Sequence, residues 1–251
     1  MLVLIALITA QIGCAQSTSR SVEGPDVNEG SGTAANGARN PVIWADVPDP
    51  SIIRVGDTYY MSSTTMHFTP GVPIMKSDDL VNWEIVNYAY DTLSDSDAFL
   101  LQNGQNAYGE GTWASSLRYH DGLYYLVTFS NTTRKTYIFR TDDIESGSWE
   151  TFTIDRLFHD PSLIFDEGRA FLLYGVDDIR IVELTSDATA LKSGGVDRVL
   201  IPDSRSIAGD RFYVPAEGAH IRKINGYYYV FLISIVLESP QETAKVTITP
   251  I

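Results

Sequence analysis

The chain has 251 residues, 44% hydrophobic and 20% charged, which is enough to bury a core as one globular domain. Its 32 acidic and 18 basic residues give a formal net charge of −14, so it repels phosphate backbones, which argues against nucleic-acid binding. Neutral ligands suit this charge better. The single cysteine, Cys14, excludes an internal disulfide.

The first forty residues are predicted to lie outside the folded domain. Residues 2–14 form an apolar run that is too short to span a bilayer and has the length of a signal-peptide core. We therefore expect a signal peptide over residues 1–15 and an exported protein, with cleavage after Ala15 or lipid attachment at Cys14. A buried N-terminal helix or strand is the alternative. Residues 16–40 are polar and are expected to form a disordered tether.

From residue 41 onward the pattern is typical of an all-β protein. Short strand-like runs alternate with breaks that carry turn-forming residues, and the first unit has four of them. These runs cover residues 50–55, 58–65, 71–76 and 83–90. Glycine turns recur at Gly56, Gly122, Gly168 and Gly226, with intervals of 66, 46 and 58 residues. Repeated four-stranded units of this length predict a β-propeller.

Three acidic residues recur in the first strand of these units. The segments DPSIIRVGDTYYM, DPSLIFDEGRAFLLY and EGAHIRKINGYYYVFLI begin with Asp49, Asp160 and Glu217, while the second unit carries Trp113 instead of an acid. The first strand of each propeller blade lines the central channel, so the residues that open these strands are expected at the channel mouth. An Asp-Pro pair can also simply initiate a turn. Three acids in register favour a shared cavity over three unrelated turns.

These motifs resemble family 43 of the glycoside hydrolases, five-bladed β-propellers that include β-xylosidases, α-L-arabinofuranosidases and arabinanases. The resemblance covers most of residues 41–234 and lies nearest to the β-xylosidase branch. It implies that Asp49 is the general base, that Asp160 orients and tunes, and that Glu217 is the general acid. Inverting hydrolysis needs an acid and a base roughly 6.5–9.5 Å apart, with water between them. A carboxylate beside Glu217 would help it keep a proton.

The expected function is an inverting glycosidase that releases terminal xylose or arabinose from plant polysaccharides or oligosaccharides. Trp113 is predicted to pack at the sugar, because flat aromatic faces stack on sugar C–H groups. His67 and Phe68 are expected at the pocket rim, and His159 is assigned to substrate binding. The tyrosines that follow the glycine turns are interpreted as packing between blades; they are Tyr59, Tyr60, Tyr124, Tyr125, Tyr227, Tyr228 and Tyr229.

No cofactor or protein-bound metal is expected. His159 and His220 adjoin the proposed acids, but histidines beside carboxylates often only form hydrogen bonds, and no zinc-binding spacing occurs. The resemblance leaves open a calcium or sodium ion in the channel, although the fifth-blade histidine that assists it has no counterpart here. The expected partner is a xylo- or arabino-oligosaccharide. The chain is not expected to span a membrane, and its oligomeric state stays open.

The resemblance ends at Ser234, and residues 235–251 form a divergent tail. The fourth blade then lacks about two strands and the fifth is missing, so the sequence predicts an incomplete propeller of about three and a half blades. This pattern indicates a fragment or a truncated reading frame. The alternative to an active enzyme is therefore a non-catalytic carbohydrate-binding propeller or an inactive remnant.

Overall fold

The computed structural model describes residues 3–9, 40–66, 69–203, 212–236 and 247–250. These residues form sixteen β-strands and one four-residue helix, arranged in four sheets of four strands each. The first strand, β1 (Val3–Thr9), belongs to the last of the four sheets. The predicted all-β architecture is confirmed, and the described residues contain no helix long and apolar enough to cross a membrane.

Each of the first three sheets is built from consecutive antiparallel strands. The first contains β2 (Ser51–Val55), β3 (Thr58–Ser62), β4 (Gly71–Ser77) and β5 (Glu84–Tyr90). After the short helix α1 (Asp97–Leu100), the second contains β6 (Thr112–His120), β7 (Leu123–Ser130), β8 (Lys135–Thr141) and β9 (Glu150–Ile154). The third contains β10 (Ser162–Asp166), β11 (Arg169–Tyr174), β12 (Ile179–Leu184) and β13 (Asp197–Ile201). The four strands expected from the first unit are all present.

The fourth sheet draws its strands from distant parts of the chain. It contains β14 (Phe212–Ile224) and β15 (Tyr227–Val236), which are the two strands expected from the fourth repeat. The segment assigned to a signal peptide supplies β1, which pairs parallel to β15, and the divergent tail supplies β16 (Thr247–Pro250), which pairs antiparallel to β1. The sheet therefore has the order β14-β15-β1-β16 and four strands instead of the two that the repeat predicts.

Tight turns follow the first strand of every sheet, as the recurring glycines predicted. The turns after β6, β10 and β14 have positive φ at both central residues, at Asp121-Gly122, Glu167-Gly168 and Asn225-Gly226. This is the type I′ geometry, whose twist matches that of the flanking strands. The turns also provide a common reference, because positions can be counted back from the last residue of each first strand.

The core lies between neighbouring sheets. One apolar cluster joins the first and second sheets, another the second and third, and another the third and fourth. Tyr60, Tyr124 and Tyr125 are buried in these layers, which confirms their predicted packing role. Tyr227 is 48% exposed, so its assignment to the core is wrong. It begins β15 in the last sheet, where the described residues place no further sheet over its side chain.

Serine hydroxyls connect the first strands of successive sheets. The Ser51 hydroxyl accepts the N–H of Leu117, Ser116 accepts that of Leu163, and Ser162 accepts that of Ile221. The three serines are all buried and all lie four residues before the end of their strand. We call β2, β6, β10 and β14 the inner strands, because they contact one another side by side. The shared register places residues with equal counts at the same level of the channel.

Candidate active site

Two of the predicted acids open inner strands with the same unusual backbone. Asp49 has φ of 50° and Asp160 has φ of 48°, and each precedes a proline and lies six residues before the end of its strand. Positive φ is uncommon for a residue other than glycine, and strained backbone of this kind clusters at functional sites. The repeated DPS motif therefore encodes the same local geometry twice. Both carboxylates leave the chain at the same level of the channel.

Glu217 reaches that level through a β-bulge. By count it lies seven residues before the end of β14, one more than Asp49 and Asp160. The pairing of β14 with β15 shifts by one residue between Glu217 and His220, so Glu217 lies opposite Ile233. An unbulged strand would place Gly218 there. Bulges of this kind re-aim side chains beside active sites.

Gly218 is required at the bulge. Its φ of +64° is a conformation that side chains rarely adopt, and a Cβ atom there would lie 3.0 Å from Cγ1 of Ile233. The Gly218 N–H donates to Oδ2 of Asp160 at 3.0 Å. Gly218 therefore allows the bulge that brings Glu217 to the level of the other acids, and its N–H binds the Asp160 carboxylate.

His159 lies between the acids of the third and fourth sheets. Its Nε2 is 3.2 Å from Oε2 of Glu217 and 3.6 Å from Oδ2 of Asp160. The three side chains are partly exposed, by 24% for His159, 13% for Asp160 and 22% for Glu217, so water or a ligand can reach them. Asp49 is more exposed and accepts a hydrogen bond from the Thr64 hydroxyl at 2.8 Å.

Burial and neighbouring charges change the proton affinity of this cluster. Burial raises the pKa of Asp160 from 3.8 to about 6; the positive charge of His159 opposes this, and the negative charges of Glu217 and Asp49 add to it. Asp49, Asp160 and Glu217 are thus close enough for electrostatic interaction. Because Asp160 releases its proton near pH 6, this end of the channel holds a proton at a pH where isolated carboxyls do not.

The pKa of His159 also moves. Burial lowers it, but the hydrogen bond to Glu217 and the negative charges of Asp160, Glu217 and Asp49 outweigh burial, so the net shift is above the usual 6.5. The imidazole is therefore charged over a wider pH range than a free histidine. Its assignment to substrate binding stays a prediction. Its contacts are with Asp160 and Glu217 and with the rings of Trp113 and Phe129.

Trp113 forms an aromatic wall beside His159. Its ring meets the His159 ring edge-on with centroids 6.1 Å apart, and Phe129 touches both rings at 6.0 and 5.1 Å. The indole N–H donates to the Gly109 carbonyl at 2.8 Å, which fixes the ring plane. Trp113 is only partly buried, so it retains accessible surface. This placement is compatible with the predicted stacking on a sugar.

Three residues that contribute to the site were not predicted from the sequence. Thr64, Gly218 and Phe129 contact Asp49, Asp160 and His159, respectively. Only Gly218 had a usable signal, since a glycine directly after the acid replaces the proline of the other two motifs. The expected rim residues, His67 and Phe68, lie outside the described residues.

One group of side chains at this site could offer ligands to a metal ion. His159, Asp160 and Glu217 each offer one ligand atom, and these atoms lie within 4.8 Å of one another. Calcium takes six to eight oxygen ligands, so this cluster of two carboxylates and one imidazole does not by itself form the calcium site that the resemblance leaves open. The expectation of no resident metal stays a prediction, and the chemistry below uses the side chains alone.

Comparison with known proteins identifies relatives over most of the chain. A family model described as Glycosyl hydrolases family 43 matches residues 38–246. A β-xylosidase of Formosa agariphila is 31% identical over 205 residues, which are 77% of this chain and 33% of that protein. The non-reducing end α-L-arabinofuranosidase BoGH43B of Bacteroides ovatus is 28% identical over 233 residues, covering 92% of this chain and 38% of its own length.

Solved structures agree with this result. A protein described as bifunctional GH43-CE, of Bacteroides eggerthii, superposes with a TM-score of 0.79 at 49% identity, over 85% of this chain and 27% of the other. The chain spans about a third of the length of the relatives it matches.

Proposed function

The chain belongs to family 43 of the glycosyl hydrolases. We propose that it acts as an inverting glycosidase that removes terminal xylose or arabinose from plant polysaccharides or oligosaccharides. One observation carries the proposal: Asp160 and Glu217 both lie within 3.6 Å of His159 Nε2, beside the partly exposed Trp113, and the strand register places Asp49 at the same level of the channel. The names of the relatives, a β-xylosidase and an α-L-arabinofuranosidase, support the two sugars.

The proposed chemistry divides the acids by environment. Asp49 is the most exposed of the three and accepts only the Thr64 hydroxyl among the described contacts, so it is suited to take a proton from water. The water oxygen then attacks the anomeric carbon as the glycosidic C–O bond breaks. Glu217 gives its proton to the leaving oxygen, and the sugar is released with inverted configuration.

Asp160 and His159 are proposed to control the protonation of Glu217, the general acid. Asp160 is held by the Gly218 N–H and carries the raised pKa, so it places a proton or a negative charge beside Glu217 according to pH. When His159 is charged, its Nε2–H donates to Glu217; when it is neutral, that nitrogen can accept a proton from Glu217. We propose that His159 returns a proton to Glu217 after each turnover.

A direct assay tests the proposal. The purified chain is incubated with 4-nitrophenyl β-xyloside and 4-nitrophenyl α-L-arabinofuranoside, and proton NMR follows the anomer released from xylo- and arabino-oligosaccharides. We expect hydrolysis of at least one substrate with an inverted first product. Retention of configuration would reject the roles given to Asp49 and Glu217. Binding of oligosaccharides by calorimetry without any hydrolysis would instead favour the carbohydrate-binding alternative.

Export is a further part of the proposal, supported by the apolar run over residues 2–14. The same run includes β1, so cleavage after Ala15 would remove a strand from the fourth sheet. Intact mass of the chain recovered from the periplasm of an expressing bacterium tests this. A mass that begins at residue 16, or at a lipid-modified Cys14, supports export. A full-length chain found only in the cytoplasm contradicts it.

A further inference from the structure

The inner strands also line a cavity further along the channel, away from the acids. It has a volume of about 320 Å³, and its lining is arginine-rich. The lining residues are Ile52, Ile53, Arg54, Arg118, Tyr119 and Arg222. The three arginines come from β2, β6 and β14, that is, from three different sheets. None of the lining side chains in the described part of the chain is acidic. We call it the arginine cavity.

Arg118 and Arg222 occupy equivalent positions. Each lies two residues before the end of its inner strand, where the first and third sheets carry Ile53 and Ile164. The acids lie four residues earlier, so the two levels are separated by roughly 13 Å at about 3.3 Å per residue. The arginine cavity is therefore distinct from the candidate active site.

The charge of Arg118 has no counter-charge. The residue is only 9% exposed, and its guanidinium donates to neutral acceptors: the Leu163 carbonyl at 2.6 Å, the Leu117 carbonyl at 2.7 Å and the Ser162 hydroxyl at 3.1 Å. Within the described residues, no carboxylate lies within ion-pair distance of Arg118 or Arg222. A buried charge without a partner is costly, so a bound anion would stabilise this end of the channel.

The Arg222 guanidinium has N–H groups available to a ligand. One of its N–H groups reaches the Ile52 carbonyl at 3.3 Å, and its other N–H groups have no partner among the described residues. A guanidinium presents parallel N–H groups that match two oxygens of a carboxylate or a phosphate. Arg54 stands at the cavity rim, where its side chain is 56% exposed and pairs with Asp57.

The neighbouring histidine provides no compensation. Burial, together with the positive charges of Arg118 and Arg222, lowers the pKa of His220 to about 4, so the imidazole is neutral near pH 7. Burial, followed by the charge of Arg222, also lowers the pKa of Arg118. Three arginines nevertheless meet at this cavity, in a chain whose formal net charge is −14.

We propose that the arginine cavity binds a small oxyanion, a phosphate or a carboxylate, with Arg222 as its main ligand and Arg118 as the buried charge beneath it. The cavity volume accommodates such an ion with some water and is too small for an extended sugar chain. Because the protein as a whole repels anions, occupancy depends on this local site and not on general attraction. The bound ion would link the inner strands of the first, second and fourth sheets.

Phosphate binding to the full chain tests the proposal. Inorganic phosphate is titrated by calorimetry, and thermal unfolding is followed at constant ionic strength, balanced with a bulky sulfonate salt. We expect a saturable heat and a saturable rise in Tm. A parallel titration with acetate distinguishes the two oxyanions, since the tighter of them identifies the preferred chemistry.

Matched variants locate the site. Arg222→Gln should weaken phosphate binding at least about tenfold, because it removes the free guanidinium donors. Lys223→Gln removes the same charge at the next residue, but Lys223 pairs with Asp166 and does not line the cavity, so this variant should keep the wild-type affinity. Arg54→Gln, at the exposed rim, provides a second variant that should weaken binding without disturbing the core.

Three outcomes overturn the proposal. The first is the absence of saturable phosphate and acetate binding. The second is equal weakening in Arg222→Gln and Lys223→Gln, which would indicate a general charge effect. The third is a rise in Tm that increases linearly with phosphate in every variant, which would indicate salt exclusion from the surface.

Discussion

The two levels of the channel use the same four inner strands for opposite purposes. At the mouth, Asp49, Asp160 and Glu217 are partly open to solvent, and the backbone there is strained or bulged. Four residues further along, Arg118 is buried, and its donors are satisfied by a carbonyl of its own strand β6 and by a carbonyl and a hydroxyl of β10. The candidate catalytic acids lie where the strands begin and water has access. The hydrogen bonds that join the strands lie where the strands run side by side.

One repeat can therefore position reactive groups at one level and stabilising contacts at another. The buried serines lie between the two levels and bond each inner strand to the next. In the fourth sheet His220 stands at the serine position, so the series does not continue in the same form. Variants at the two levels should therefore separate activity from stability.

The largest effect is expected at the mouth. Asp49→Ala and Glu217→Ala should each lower kcat by about 10³-fold, since each removes one partner of the acid/base pair. Thermal unfolding should stay close to wild type, because both side chains are partly open to solvent. Steady-state kinetics and melting curves check this. Wild-type turnover in either variant would remove that residue from the mechanism.

At the arginine level the effect should be on stability. Arg118→Met leaves the Leu117 and Leu163 carbonyls without this donor and the Ser162 hydroxyl with the Ile221 N–H alone, which should lower the free energy of unfolding by about 3 kcal/mol. Urea denaturation measures the change. The control is Arg198→Met at an exposed position, which should change stability by less than about 0.5 kcal/mol. Equal effects in the two variants would show that the hydrogen bonds of Arg118 do not hold the strands together.

Asp160 belongs to the mouth but should affect stability in a pH-dependent way. Its pKa is raised from 3.8 to about 6, so the folded state carries the cost of ionising it as pH rises through this window. Below pH 4 the cost is absent, and above pH 6 it is complete, at about 2–3 kcal/mol. Asp160→Asn should therefore be more stable than wild type above pH 6 and less active.

Unfolding measured at pH 4.5 and at pH 7.5 tests the sign. The stabilisation by Asp160→Asn should be larger at pH 7.5. A difference that is the same at both pH values would mean that the carboxyl titrates normally in the folded protein.

The smallest effect is expected between the levels. Ser116→Ala removes the acceptor of the Leu163 N–H and leaves a buried donor unpaired, which should cost about 1–2 kcal/mol. Ser193→Ala, at an exposed turn, is the matched control. Chemical denaturation compares them. If Ser116→Ala proves as mild as the control, the hydroxyl series does not contribute to packing between the sheets.

Much of the fold was predictable because it is encoded locally. Alternating apolar residues and glycine turns identified the strands of the first unit and the unit repeats, and turns with positive φ occur where the glycines recur. The acids were identified from their motifs, Trp113 from its position at the start of the second unit, and His159 from its position next to Asp160. Their roles in catalysis and binding remain predictions, while their convergence is a property of the structure.

Other features had no local signal. Equal spacing from the turns would have placed Glu217 one residue out of line, and only the bulge at Gly218 restores its level. The equivalence of Arg118 and Arg222 was visible in the sequence, but not that both lack an acidic partner. The pairing of β1 with β15 joins residues that are more than two hundred positions apart, which no neighbouring residue specifies.

The strands, the turns and the acidic motifs are specified locally, because they depend on side-chain alternation and backbone preference over a few residues. Tertiary structure alone decided which side chains share a level of the channel, which carboxyl has a raised pKa and where positive charge is left uncompensated. Those properties depend on distances and burial between strands of different sheets, and they exist only once the sheets are packed together.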